Sequence, residues 1–170
     1  LDDKLAMLSE FSVECAMAKV HTSEAYNHLA DEAVQVFGGY GFSEEYPPAR
    51  MYRDSRIARI YEGTNEICRL YAQRAILRRS WSGRLDLSGT QDQTDDSLSA
   101  VNYDAALGSG SRHLDIANLK SVYRHLTAEV CVAVQRERMF DAENQQLMAS
   151  LADIAIEIFA TESVFLRISK

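Results

Sequence analysis

The chain has 170 residues, of which 46% are hydrophobic and 25% are charged, as is usual for a soluble globular protein. This composition argues against a chain that is disordered throughout. The formal net charge is −7 and no run of Lys and Arg is present to follow a phosphate backbone, so we expect no nucleic-acid partner.

Apolar residues recur at intervals of three and four along most of the chain, which predicts an all-α fold. The spacing predicts a first helix over residues 1–19. A second helix is expected to begin at Thr22 or Ser23, either of which suits the N-cap position, and to continue to Phe37. The pair Gly38–Gly39 should end it.

The next segment, residues 39–48, contains the glycines and prolines that are typical of a connecting loop. A short helix is expected after it, over about residues 48–56. Another helix should begin near Gly63 or Thr64, because the Thr64 hydroxyl can cap backbone amides, and should continue toward Arg79.

Residues 80–113 are rich in Ser, Gly, Asp, Thr and Gln, which predicts a flexible linker. Two long amphipathic segments follow, over about residues 114–140 and 144–169, each with one apolar stripe. A few polar residues separate the stripes, so we expect an antiparallel helical hairpin. Both ends of the chain carry helical periodicity without a start or stop signal, which indicates a piece of a longer protein.

Several classes of site and location find no support in the sequence. No stretch is long and apolar enough to span a membrane. Cys15, Cys68 and Cys131 lie far apart in apolar helical sequence, so we expect them to be reduced core residues. The histidines form no ligand pair with Cys or carboxylate residues, and no Ser/His/Asp order is evident, which argues against metal and hydrolase sites.

Residues 35–66 hold the features most suggestive of chemistry. Glu62 lies between Tyr61 and Gly63 directly before a predicted helix, and a carboxylate in such a position suits proton abstraction. The alternative is an acidic residue that only favours the positive end of the helix.

Three further groups in this segment have two interpretations each. One group either admits the close approach of a ligand or forms a helix cap and a turn: Gly38, Gly39 and Gly41. Another either lines an apolar pocket or packs half-buried: Tyr40, Phe42, Tyr46, Tyr52 and Tyr61. A third either meets a phosphate or an acidic neighbour or forms a solvated basic face: Arg50, Arg53, Arg56 and Arg59.

Four stretches taken together resemble the C-terminal helical domain of acyl-CoA dehydrogenases: Gln35–Phe42, Tyr46-Pro47, Arg53-Asp54 and Arg59–Ile67. The resemblance covers residues 1–79 and implies a helical-bundle domain that is incomplete at its N-terminus. Residues 143–169 resemble the extra C-terminal region of the very-long-chain branch. Residues 114–170 are therefore expected to form an appended helical domain, incomplete at its C-terminus, beyond the linker.

The resemblance implies an FAD-dependent enzyme that oxidises fatty acyl-CoA thioesters to trans-2-enoyl-CoA in fatty-acid β-oxidation. Glu62, in Tyr-Glu-Gly-Thr, would remove the substrate's α-proton while the β-hydrogen leaves as hydride to the flavin. Tyr61 and Gly63 would line the substrate site. Thr64 and Glu66 would contact the flavin of their own subunit.

The resemblance also implies partners. Gln35 and Gly39 match positions that reach the FAD of a neighbouring subunit, which implies a homo-oligomer that shares FAD across its interface. Electron-transfer flavoprotein is the expected acceptor, and no metal is expected. The implied location is the bacterial cytoplasm or the mitochondrial matrix, with peripheral membrane association left open.

Two alternatives to a dehydrogenase stay open. One is an acyl-CoA oxidase, which uses the same proton abstraction but passes electrons to oxygen. The other is a non-catalytic helical interaction module in which Glu62 and Gln35 are relics, although the intact Tyr-Glu-Gly-Thr motif argues against it. The family's N-terminal helical domain and middle β-domain are absent from these residues, so we expect the chain alone to be inactive.

Overall fold

The structure is a computed structural model that describes residues 8–85, 116–137 and 142–168. These residues contain helices and turns but no strand, so the predicted all-α fold is confirmed. After a helical segment at residues 8–10, the helices in chain order are α1 (Ser12–Phe37), α2 (Gly39–Phe42), α3 (Pro47–Ala58), α4 (Asn65–Trp81), α5 (Ile116–Glu137) and α6 (Ala142–Ile168).

The chain divides into two compact units, Leu1–Ala72 and Gln73–Lys170. The boundary falls inside α4. The first unit holds α1, α2, α3 and the beginning of α4, and the second holds the rest of α4 with α5 and α6. The division of the sequence into residues 1–79, 80–113 and 114–170 stays a prediction.

Helix α1 continues without a break through the position where one helix was predicted to end and another to begin. Thr22 and Ser23 do not cap a new helix. The Thr22 hydroxyl donates to the Ala18 carbonyl at 2.7 Å, and the Ser23 hydroxyl donates to the Val20 carbonyl at 3.1 Å. Hydroxyls that bond back to the preceding turn are compatible with a helix interior, so the prediction of two helices in this region is wrong.

Gly38 ends α1, as predicted, with a φ of 59° that residues bearing a Cβ rarely adopt. The residues after it form the helical turn α2, so the predicted loop over residues 39–48 is helical in part. A Cβ on Gly41 would lie 2.5 Å from the Val34 carbonyl oxygen and 2.9 Å from the Phe37 Cβ. Glycine at this position therefore permits α2 to pack against the end of α1.

Helix α3 begins at Pro47, which suits the first helical position because proline has no amide hydrogen to leave unpaired there. Its predicted range of about residues 48–56 is confirmed. Asn27 of α1 donates from Nδ2 to the Oγ of the buried Ser55 at 3.0 Å, and that hydroxyl donates to the Tyr52 carbonyl at 2.8 Å. These bonds attach α3 to α1.

The apolar core of the first unit follows the helical period along α1. Val13, Met17 and Val20 are at most 7% exposed and lie on one face of the helix. Cys15 lies between the first two of them in sequence and therefore faces the opposite side, where it is exposed. The prediction that all three cysteines are core residues is wrong for Cys15, whereas Cys131 is buried and all three thiols are free.

In the second unit α5 and α6 form the predicted antiparallel hairpin. Lys120, near the beginning of α5, forms an ion pair with Glu162, near the end of α6. Tyr123 donates from its hydroxyl to Oε1 of the buried Gln73 at 2.9 Å. Apolar residues that are at most 8% exposed form the core of this unit: Ile76, Leu77, Cys131, Met148, Leu151, Ala152, Ala155, Ile156 and Ile158.

Helix α4 begins where the sequence predicted, at Asn65 directly after Thr64. It continues two residues beyond the predicted end at Arg79. The predicted flexible linker over residues 80–113 lies outside the described residues from residue 86 onward.

Candidate functional site

The segment between α3 and α4, residues 59–64, carries Glu62 in an uncommon backbone conformation. Glu62 has a φ of 55°, and Gly63 follows with a φ of 91°. A positive φ suits glycine but costs a residue with a Cβ about 1–2 kcal/mol. Backbone strain of this kind is concentrated at functional sites, where surrounding contacts hold it in place.

Backbone hydrogen bonds fix this segment at both ends. The Tyr61 amide donates to the Ile57 carbonyl at 3.1 Å, and the Asn65 amide donates to the Arg59 carbonyl at 3.1 Å. The segment is thus a closed turn between two helices rather than an open loop.

Asn65, whose side chain is fully buried, ties the turn to α1. Its Oδ1 accepts from Lys19 Nζ at 2.6 Å, and its Nδ2 donates to Ser23 Oγ at 2.9 Å and to Glu24 Oε1 at 3.1 Å. Lys19 also donates to the Gly63 carbonyl at 2.8 Å. The residue that follows the predicted base is therefore bonded directly to α1.

A bidentate ion pair lies beside these contacts. The two terminal guanidinium nitrogens of Arg69, on α4, donate to the two carboxylate oxygens of Glu24 at 2.8 Å each. Burial by itself would raise the pKa of Glu24, but the hydrogen bonds from Arg69 and Asn65 and the Arg69 charge hold that pKa below its usual range. The pair fixes the first turns of α4 against α1.

Thr64 and Glu66 lie at the N-terminus of α4, as predicted. The Thr64 hydroxyl accepts from the Ile67 amide at 3.3 Å, which confirms its capping role. A hydrogen bond from its own backbone amide is the main cause that lowers the pKa of the exposed Glu66 carboxyl, and the Thr64 hydroxyl acts in the same direction.

The Glu62 carboxylate is exposed, and apolar side chains on the same turn and on α4 are exposed with it. Tyr61 is 55% exposed and Ile67 is 60% exposed; Ile60 and Tyr71 are also exposed. An accessible carboxylate beside apolar surface can accept a proton from a substrate that has an apolar body. Within the described residues the Glu62 carboxylate is also accessible to solvent.

Gln35 and Gly39 lie apart from this turn, toward the end of α1 and in α2, and both are exposed. Gln35 is 16 residues beyond Lys19 (35 − 19 = 16), which at 1.5 Å per residue places it about 24 Å farther along α1. A Cβ added to Gly39 would meet no atom within 4 Å. The packing of the described residues therefore does not require glycine there.

The five aromatic residues of the predicted cluster lie in three places. Phe42 and Tyr52 line a surface cavity of about 450 Å³ together with Val34 and Ala49. The rings of Tyr40 and Tyr46 contact each other with centroids 5.1 Å apart and planes tilted by 54°, and both residues are exposed in part. Tyr61 does not line this cavity.

Three of the four arginines, Arg50 and Arg53 on α3 and Arg59 directly after it, meet acidic or polar neighbours. Arg53 lies 3.0 Å from Glu44, and Arg50 lies 3.6 Å from Asp54, but these pairs are exposed. Arg59 donates to the Asn27 Oδ1 at 3.2 Å. No group of three or more His, Cys, Asp or Glu residues suited to a metal occurs within the described residues, and none of the helices described there is long and apolar enough to cross a membrane.

Comparison with known proteins gives consistent findings. Residues 2–77 match the family described as acyl-CoA dehydrogenase, C-terminal domain. A probable acyl-CoA dehydrogenase of Bacillus subtilis strain 168 is 34% identical over 96% of this chain. A short-chain specific acyl-CoA dehydrogenase of Megasphaera elsdenii is 52% identical over 40% of this chain.

A solved structure is similar to nearly the whole chain, as the Bacillus subtilis relative is. The crystal structure of an acyl-CoA dehydrogenase complexed with FAD from Bacillus anthracis superposes on 95% of this chain with a TM-score of 0.74 and 35% identity. The chain spans 27% of the length of that protein and 27% of the Bacillus subtilis relative, but 18% of the Megasphaera elsdenii relative.

Proposed function

Because residues 2–77 belong to the acyl-CoA dehydrogenase C-terminal domain family, we propose that this chain supplies the catalytic base to an FAD-dependent acyl-CoA dehydrogenase. The proposal concerns the holoenzyme that contains this chain, since the chain spans 27% of the Bacillus subtilis relative. The observation that carries it is the accessible carboxylate of Glu62, held at a φ of 55° in a turn that is bonded to α1.

Glu62 would take the α-proton of a fatty acyl-CoA thioester as the α-carbon–hydrogen bond breaks. The fixed turn supports this role because a base must be held in one orientation to act. Tyr61 would lie beside the acyl chain. Gly63 has no side chain to obstruct the thioester, and its φ of 91° favours glycine at this position for a second, independent reason.

The residues present fit an FAD group in two places. The backbone of Gly39 is exposed, with no atom within 4 Å of the position of a Cβ, so the dinucleotide part of an FAD can approach it, and Gln35 lies nearby on α1. Thr64 and Glu66 lie at the accessible beginning of α4 beside Glu62. When bound, FAD supplies the acceptor for the hydride that leaves the β-carbon.

These two places support a shared cofactor. Gln35 lies about 24 Å along α1 from Lys19, which is bonded to the Glu62 turn. We therefore propose that Gln35 and Gly39 contact the FAD of one subunit, and that Thr64 and Glu66 contact the FAD of another. The holoenzyme is then a homo-oligomer with FAD across its interface and electron-transfer flavoprotein as the acceptor. A bacterial cytoplasm or mitochondrial matrix location is proposed with it, and residues 143–169 support membership of the very-long-chain branch.

The experiment is an anaerobic titration of the purified holoenzyme with acyl-CoA thioesters of several chain lengths. We expect flavin absorbance that is bleached stoichiometrically, with trans-2-enoyl-CoA as the product. Flavin that stays oxidised with every thioester would contradict the proposal and favour a non-catalytic module. Rapid reoxidation of the reduced enzyme by oxygen, rather than by electron-transfer flavoprotein, would identify an acyl-CoA oxidase instead.

A further inference from the structure

We propose that Lys19 is a positioning residue that holds the Glu62 turn in its catalytic conformation through the Gly63 carbonyl. The inference rests on the proposed function, since it assigns to Lys19 the orientation of the base. It concerns the backbone of the turn, which no side chain of the Tyr-Glu-Gly-Thr motif itself fixes to α1.

The turn needs an external constraint because of its own conformation. Glu62 and Gly63 have consecutive positive φ values of 55° and 91°. A residue with a Cβ leaves the left-handed region readily unless its surroundings hold it there. The backbone hydrogen bonds of Tyr61 and Asn65 fix the ends of the turn, but neither involves the Glu62–Gly63 peptide or the Gly63 carbonyl.

Lys19 supplies a direct contact at that point. Its ammonium group lies 2.8 Å from the Gly63 carbonyl oxygen and 2.6 Å from Asn65 Oδ1. One side chain thus bonds both the residue after Glu62 and the first residue of α4. A charged donor makes a stronger hydrogen bond than a neutral one, and here both acceptors are neutral oxygens.

Lys19 is itself held in place. It lies on α1, one residue before the buried Val20, and Asn65 is fully buried between Lys19, Ser23 and Glu24. The Lys19 ammonium is therefore bonded to the buried Asn65 side chain on one side and to the Gly63 carbonyl on the other. Removal of the ammonium would leave the carbonyl with the weak thiol donor of Cys68, 3.6 Å away. The Gly63–Thr64 peptide could then rotate, and the turn that carries the Glu62 carboxylate would move with it.

The test compares variants of the flavin-loaded holoenzyme by stopped-flow reduction with a saturating acyl-CoA. Lys19→Met keeps the length of the side chain and removes its donors, and Lys19→Arg restores charge and donors. Ser23→Ala weakens the same buried cluster without touching Gly63. Lys120→Met removes a lysine whose ion-pair partner is Glu162 and is the matched control.

We expect Lys19→Met to lower the rate of flavin reduction by about tenfold to a hundredfold, as is usual when a reacting group is misplaced. The substrate Kd should change by less than about twofold, since binding uses other contacts. Lys19→Arg should recover part of the rate, and Lys120→Met should match the unaltered enzyme. Without flavin, hydrogen exchange in Lys19→Met should accelerate in the peptide that spans the turn and not in α3.

An unaltered reduction rate in Lys19→Met, or a loss no larger than that of Ser23→Ala, would overturn the inference. If Lys19→Met does not retain flavin, Lys19→Gln, which replaces the ammonium by a neutral amide NH2 group, takes its place in the same comparison. A Glu62→Gln enzyme that is reduced at the unaltered rate would instead overturn the proposed function. The two failures are therefore distinguishable.

Discussion

Replacement of Asn65 by alanine should lower the free energy of unfolding of the first unit, and by more than replacement of Asn27 by alanine. The side chain is 0% exposed and is hydrogen-bonded to three partners, Lys19, Ser23 and Glu24, with shortest distances of 2.6, 2.9 and 3.1 Å. Two of these partners are charged, which makes the bonds stronger than neutral ones.

The size of the destabilisation depends on the hydrogen bonds that each partner of Asn65 retains in the variant. Lys19 retains the Gly63 carbonyl, Glu24 retains Arg69, and Ser23 retains the Val20 carbonyl. No partner is left wholly unpaired, so the lower part of the usual range for each bond applies. The expected loss in the free energy of unfolding for Asn65→Ala is about 2–4 kcal/mol.

The assay is urea unfolding of the full chain, followed by far-UV circular dichroism. The matched control is Asn27→Ala, which removes an amide bonded at 3.0 and 3.2 Å to Ser55 and Arg59 but reaches one charged partner instead of two. We expect about half the loss in that variant. A loss below about 1 kcal/mol for Asn65→Ala, or one no larger than for Asn27→Ala, would refute the reasoning.

Three further substitutions test other contacts of the fold. Gly41→Ala should cost about 1–3 kcal/mol of unfolding free energy, because its Cβ would lie 2.5 Å from the Val34 carbonyl oxygen; an unaltered urea midpoint would contradict this. Glu24→Gln should be less stable than the unaltered chain at neutral pH. Since the folded-state pKa of Glu24 is lowered, its contribution is present above about 4.3, the pKa of an unperturbed glutamate, and is lost as the pH falls through the lower folded value. The two urea midpoints should therefore converge on acidification, and a constant difference would argue against it. Burial raises the pKa of Tyr123 to about 12, so its ultraviolet titration should occur there in the folded chain; Tyr123→Phe should cost about 1–3 kcal/mol, because Oε1 of the buried Gln73 loses its donor.

Helix existence and most helix ends could be predicted from the sequence because they depend on local signals. The helix predicted from about residue 48 begins at Pro47, Thr64 caps α4, Gly38 ends α1, and two apolar stripes predict the α5–α6 hairpin. The predicted break in α1 was wrong because Thr22 and Ser23 suit both an N-cap and a bond back to the preceding turn. Only packing decides between those two uses.

The position of the candidate base could be predicted, but the contacts that hold it could not. Lys19 and Gly63 are separated by 44 residues, and Glu24 and Arg69 by 45. No periodicity or spacing in one sequence indicates such pairs. The sequence also gives no indication of the positive φ of Glu62, since the left-handed conformation favours Gly, Asn and Asp rather than Glu.

The measurement that tests the account most directly is stopped-flow flavin reduction by acyl-CoA in the Glu62→Gln holoenzyme under anaerobic conditions. The amide keeps the size of the side chain and lacks a basic oxygen, so we expect flavin and substrate to bind while the reduction rate falls by about a hundredfold or more. Glu45→Gln, an exposed carboxylate outside the turn, is the matched control and should be reduced at the unaltered rate. A Glu62→Gln enzyme that is reduced within a few-fold of the Glu45→Gln control would contradict the assignment of Glu62 as the base.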